Sequence, residues 1–120
     1  MNVTELIERY NDAWNRQDLD AIHEFHHPTI VFDNHTLDER AEGAGAVRAH
    51  IAQIFANNPT LRFTTRSLRA GDEFAVCEWT ATVERDGRTL TWDGVDVFPF
   101  RDGLIARKDV YSASHRAREA

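Results

Sequence analysis

At 120 residues the chain is long enough for one domain with a core and too short for two. Its 14 Lys and Arg against 20 Asp and Glu leave a net charge of −6 with no basic run, which argues against nucleic acid as a partner. Met1-Asn2-Val3-Thr4-Glu5-Leu6 lacks the basic and apolar segments of a secretory signal, no apolar run approaches membrane-spanning length, and the lone Cys77 rules out an internal disulfide. These features fit a cytoplasmic protein with no membrane partner.

Helical spacing of Leu6, Ile7, Tyr10, Ala13 and Trp14 predicts a first helix over 4–15, with Asn2 and Glu5 as a capping box. Asp18 is placed to cap a short second helix over 19–25, which Pro28 closes. The β-branched and aromatic stretch 29–35 reads as a strand, and the polar stretch 36–45 as a loop. Val47, His50, Ile51, Ile54 and Phe55 define one side of a third helix over 46–57, stopped by Asn58-Pro59.

Three or four strands follow, over 61–70, 73–85, 88–100 and 104–112, separated by turns at 70–72, Asp86-Gly87 and Arg101-Asp102-Gly103. In the second of these, Cys77, Trp79, Ala81 and Val83 share one face and Glu78, Thr80, Thr82 and Glu84 the other. The charged tail 115–120 is expected to fray, leaving a single domain over 1–114. Helices first and strands after imply an α+β fold, a curved antiparallel sheet wrapped on three N-terminal helices as a cone with a hollow end.

The candidate chemistry lies in the last two strands. Leu90, Trp92, Asp96, Phe98 and Phe100 share one strand face, and Asp109 sits in Arg107-Lys108-Asp109-Val110-Tyr111. A carboxylate among aromatic residues is unfavourable to bury unless it is paired, protonated or used. If both acids face one cavity, repulsion raises one pKa and supplies an acid beside a base. Register decides this. A three-residue turn at 101–103 puts Asp96 opposite Lys108, whereas a four-residue turn or a bulge near Pro99 puts it opposite Asp109.

The order of elements, together with Glu8-Arg9-Tyr10, Trp14-Asn15-Arg16-Gln17-Asp18-Leu19-Asp20, Thr29-Ile30-Val31-Phe32, Gly45-Ala46-Val47-Arg48, Asp96-Val97-Phe98, Asp102-Gly103-Leu104-Ile105 and Arg107-Lys108-Asp109-Val110-Tyr111, resembles the NTF2-like superfamily and its SnoaL-like group. The resemblance spans nearly the whole chain and implies the cystatin-like cone rather than one reaction, since this fold carries isomerases, polyketide cyclases, dehydratases, epoxide hydrolases and non-catalytic domains. It favours the register that brings Asp96 and Asp109 together. By likeness to ketosteroid isomerases, Tyr10 and Asp96 correspond to the oxyanion-hole pair, while the general base falls on Asn34, which cannot take a proton from carbon. By likeness to limonene-type epoxide hydrolases, Asp96 and Asp109 correspond to the two aspartates, and the bridging arginine falls on Gly94.

The resulting expectation is a cofactor-free acid/base enzyme, an isomerase, cyclase, dehydratase or hydrolase, acting on a small hydrophobic molecule in an apolar cavity and assembled as a homodimer through the outer sheet face. Asp96, Asp109 and Tyr10 would be catalytic, and Asn34, His35, Trp79, Trp92, Phe98 and Tyr111 would line the substrate site. No metal is expected: His23 and His27 lie four apart, but their helix ends at His26-His27-Pro28 and no Cys or carboxylate pattern completes a site. The competing reading is a non-catalytic binding or dimerisation domain. An open cavity lined by both aspartates would favour the enzyme, and a cone filled by Trp92, Phe98 and Tyr111 with Asp109 outside would favour its rival.

Overall fold

Asn2 opens the first helix as the capping pattern requires, its Oδ1 accepting from the Glu5 N–H at 2.8 Å. In the computed structural model, which describes residues 1–120, the order is α1 (Val3–Asn15), α2 (Leu19–Glu24), β1 (His26–Asn34), β2 (Glu39–Glu42), α3 (Ala44–Asn57), β3 (Arg62–Ala70), β4 (Phe74–Arg85), β5 (Arg88–Arg101), β6 (Leu104–Ser112), a 3-10 turn Ser114–Arg116 and β7 (Arg118–Glu119). Asp18 caps α2 through the Ala21 N–H at 3.1 Å. Leu6, Ile7, Tyr10, Ala13 and Trp14 form the buried stripe by which α1 packs into the sheet.

The strands lie in the order β2-β1-β6-β5-β4-β3, with β7 added beside β5. All neighbours are antiparallel except β1 and β6, which run parallel, so the expectation of an antiparallel sheet holds for all but this central pair. Register shifts in the β1–β6, β3–β4 and β5–β6 ladders bend the sheet around the helices. No helix is long and apolar enough to cross a membrane.

Three sequence expectations change. Pro28 lies inside β1, in the irregular stretch between the His26 and Val31 pairings, where its missing N–H interrupts no regular ladder. The segment expected as a loop contains β2, an exposed polar edge strand formed by pairing with β1 and not by its own propensity. The tail is tied down: Arg118 and Glu119 pair with Thr91 and Leu90, and the Ala120 N–H bonds to the Thr89 carbonyl at 3.0 Å.

The β5–β6 register resolves the question of the two aspartates. Asp102 and Gly103, both at positive φ, make a two-residue hairpin that pairs Arg101 with Leu104. A bulge between Val97 and Phe100 then shifts the ladder by one residue, setting Asp96 opposite Val110 and Val97 opposite Asp109. Asp96 and Asp109 therefore point to opposite faces of the sheet, and the register favoured by the resemblance is not the one adopted.

Candidate functional site

Inward alternation along β6 carries Ala106, Lys108 and Val110, so a lysine enters the apolar interior. Lys108 Nζ lies 3.7 Å from Asp96 Oδ2, and both residues are at least 94% buried, with relative exposures of 5% and 6%. Four aromatic rings surround the Nζ, with centroids at 3.9 Å (Trp14), 4.8 Å (Tyr10), 5.4 Å (Phe98) and 5.9 Å (Phe32). Burial pushes the Asp96 carboxyl above the usual carboxylate range against the pull of Lys108. Burial likewise pulls Lys108 below its ordinary value against the pull of Asp96. Asp96 Oδ1 has no hydrogen-bond partner.

This pair forms the floor of a cavity of about 720 Å³, a size suited to a small organic ligand. Its walls include Trp14, Phe32, Phe63, Trp79 and Trp92, and Asn34, His50, Asn58 and His115 contribute polar groups. Besides Asp96 Oδ1, the buried Trp14 Nε1, Trp79 Nε1 and His50 Nε2 are without hydrogen-bond partners, His50 Nε2 standing 3.6 Å from Glu39 Oε2, and all belong to lining residues. Such unmatched polar groups are unfavourable in an empty pocket and useful around a ligand carrying oxygen functions.

On the other face of the sheet Asp109 takes hydrogen bonds from Arg107 (2.9 Å to Oδ1, 3.2 Å to Oδ2) and pairs with His35 Nε2 at 2.9 Å. Burial pushes Asp109 up, but the Arg107 and His35 hydrogen bonds more than offset it and hold the carboxyl below its ordinary value. His35 stacks on Tyr111 with centroids 4.4 Å apart. Asp33 Oδ2, His35 Nε2 and Asp109 Oδ1 lie within 4.8 Å of one another, a grouping able to hold a cation. Arg107 and Arg40 already pair with those carboxylates, which disfavours a metal there.

The sequence of residues 7–108 matches the model of the SnoaL-like domain. The chain belongs to the SnoaL-like domain family. Solved structures agree in fold. An epoxide hydrolase/cyclase-like enzyme of pyran ring formation in the polyether salinomycin superposes with a TM-score of 0.84 at 18% identity, covering 98% of this chain and 95% of that one. A protein from Jannaschia sp. CCS1, provisionally assigned as a SnoaL-like polyketide cyclase, gives 0.84 at 19% identity, with coverages of 94% and 86%. One from Xanthomonas campestris pv. campestris, provisionally assigned as a polyketide cyclase, gives 0.75 at 24% identity, with coverages of 90% and 87%. No curated protein matches the chain at a significant level.

Within this SnoaL-like cone the expected site residues separate. Asp96, Asn34, Trp79 and Trp92 line the cavity. Asp109, His35 and Tyr111 lie on the outer face, excluded by the strand period and the β5–β6 bulge. Phe98 is fully buried core, and Tyr10 is also fully buried, its hydroxyl hydrogen-bonded to His26 Nε2 at 2.8 Å and absent from the cavity wall. Burial, then the nearby Lys108 charge, lowers His26 to about 3, so it stays neutral and committed to Tyr10. His27 is held by Thr29 and Asp102 instead of joining His23 around a metal.

Gly94 shows why the bridging arginine of the hydrolase pattern is missing. A Cβ there would run into the Trp79 ring, which lies across the glycine. Lys108 now supplies the cation beside Asp96, from the neighbouring strand. It went unassigned in the sequence although its parity with Ala106 and Val110 marks it as inward. His50, Trp14 and Phe32 are further cavity residues that read from the sequence only as apolar helix or strand faces.

Proposed function

We propose that this SnoaL-like chain is a cofactor-free acid/base enzyme acting on a small hydrophobic substrate within the aromatic cavity. The observation that carries this reading is the buried Asp96 carboxyl, with one oxygen unpartnered, on the cavity floor beside Lys108. A carboxyl whose proton affinity is raised by burial accepts a proton more readily than an ordinary carboxylate and can return it. In this scheme Asp96 removes a proton from bound substrate and returns it elsewhere, while the positive charge carried at Lys108 Nζ stabilises the negative charge that develops. Asn34 and the Trp14 and Trp79 indole N–H groups orient oxygen functions of the substrate. Isomerisation, aldol-type cyclisation, dehydration and water addition all fit this division of labour. The SnoaL-like membership supports a small-molecule enzyme-like fold, and the structures it resembles include an epoxide hydrolase/cyclase-like enzyme and a provisionally assigned polyketide cyclase.

Asp96→Asn should abolish turnover of a true substrate while circular dichroism remains that of a folded chain, at a lower urea midpoint because Lys108 is left buried without its charge partner. Retained turnover in a folded Asp96→Asn protein would remove Asp96 from the reaction. A binding-only role is favoured by one observation, the exclusion of Asp109 from the cavity, which leaves Asp96 as its only aspartate, with Glu39 the one other carboxyl of the lining. Tight ligand binding with no product across the four reaction classes would select it. We also propose a homodimer through the outer sheet face, where Tyr111 and Phe74 are 46% and 51% exposed. Sedimentation of the parent and of Tyr111→Glu tests this, and a monomeric parent at micromolar concentration would rule it out.

A further inference from the structure

Lys108 is the only lysine among the 120 residues, which otherwise carry thirteen arginines and six histidines. Arginine supplies the charge elsewhere, in surface pairs such as Arg16–Asp12, Arg40–Glu42 and Arg69–Glu78. The one position that departs from this usage is buried, lines the cavity and touches a carboxyl. The chemical difference between the two residues is decisive here: a guanidinium stays protonated, whereas a lysine can lose its proton and become a nucleophile.

From this placement we propose that Lys108 captures the carbonyl carbon of an aldehyde or ketone substrate as a Schiff base. The inference rests on the reading that a small hydrophobic molecule enters this cavity, and it narrows that molecule to a carbonyl compound. Asp96 first takes a proton from the Lys108 ammonium, a transfer for which the 3.7 Å gap must close by roughly half an ångström or more to hydrogen-bond distance. The free amine adds to the carbonyl carbon, and a proton passes from nitrogen to the new alkoxide to give a neutral carbinolamine. The Asp96 acid then protonates the carbinolamine hydroxyl, which leaves as water, and the nitrogen lone pair forms the C=N bond. The net change is ammonium plus carbonyl to iminium plus water, with Asp96 again a carboxylate.

Three features favour that product. Burial lowers the proton affinity of the amine, which eases the transfer of its proton to Asp96. The rings of Trp14, Tyr10, Phe98 and Phe32 present their π-systems to a cation at Nζ, and an iminium is such a cation. The restored Asp96 carboxylate lies where it can take a proton from the carbon next to the iminium, the step that isomerisation, dehydration and aldol-type ring closure share.

The chain's composition makes the test clean, because the only other primary amine of these residues is that of Met1. The protein is incubated with a naphthaldehyde and sodium cyanoborohydride, then analysed by intact mass and peptide mapping. The corresponding naphthalenemethanol serves as a ligand that cannot form an imine. All three tryptophans line the cavity and report binding of either compound by fluorescence. The expected result is a single reduced adduct on Lys108, lost in both Lys108→Met and Lys108→Arg and strongly slowed in Asp96→Asn. Mapping in the parent protein locates the adduct even where a variant fails to fold. Fluorescence quenching by both compounds without an adduct on Lys108 would overturn the Schiff base and leave the cavity reading intact. No quenching by either, with labelling confined to Met1, would overturn both.

Discussion

Lys108 and Asp109 are neighbours in one strand, yet they sit in opposite kinds of electrostatic environment. Inside, Lys108 and Asp96 form a sparse pair at 3.7 Å among four aromatic rings, with one carboxylate oxygen unmatched. Outside, Asp109 is held by Arg107 and His35 and lies beside Asp33 and Arg40 in a half-exposed network of short contacts. The better-bonded carboxylate has the lowered pKa and little reason to react, and the poorly bonded one has the raised pKa and the access to ligand. Close hydrogen bonding of a charged group is thus evidence of its structural use, and incomplete bonding beside a cavity points to chemistry.

The contrast can be broken most severely from the inside. Lys108→Met should lower the unfolding free energy by about 3–5 kcal/mol in urea titrations, because it strands a carboxyl in an aromatic interior. Adding Asp96→Leu should recover most of that loss, since a packed apolar pair replaces two buried charges. A double variant no more stable than Lys108→Met alone would show that the pair is not coupled.

The next effect is on acid stability. His26 is held at about 3 in the folded chain against 6.5 when unperturbed, so between these values the unfolded chain binds more protons. Its contribution is therefore complete above the unperturbed value and is lost progressively as pH falls towards 3, by up to a few kcal/mol. His26→Gln, which can still meet the Tyr10 hydroxyl, should flatten that limb in pH-dependent thermal unfolding.

A smaller perturbation sharpens the cavity side alone. Gly94→Ala forces Trp79 from its place over the glycine and should destabilise by about 1–3 kcal/mol, with a shift in tryptophan emission. The smallest effect belongs to the outer network: Asp109→Asn should cost less than about 1 kcal/mol and leave ligand quenching of tryptophan fluorescence unchanged. A large loss of ligand binding in that variant would contradict the separation of the two faces.

Much of this was legible residue by residue. The Asn2 cap, the apolar stripe of α1, the Asp18 cap and the Asp86-Gly87 hairpin rest on local chemistry and appear as expected, whereas the turn expected over 101–103 closes with two residues, Asp102 and Gly103. The inward face of β4, from Cys77 to Val83, follows from alternation alone. What failed depended on pairing across the chain. β2 has no apolar pattern and exists because β1 offers it hydrogen bonds. The bulge at Val97–Phe100 adds one residue to a ladder, and that single residue sends Asp109 outward and makes Lys108 the neighbour of Asp96. Tyr10 was assigned by likeness to other proteins, and the partner that occupies its hydroxyl, His26, lies in a strand that local signals began three residues too late.

The end of the chain has a practical consequence for anyone handling this protein. Ser114, His115 and Ala117 form part of the cavity wall, and β7 clamps them there by pairing with Leu90 and Thr91 on the strand that carries Trp92 and Asp96. Trimming the chain at Ser112 would remove one side of the binding chamber.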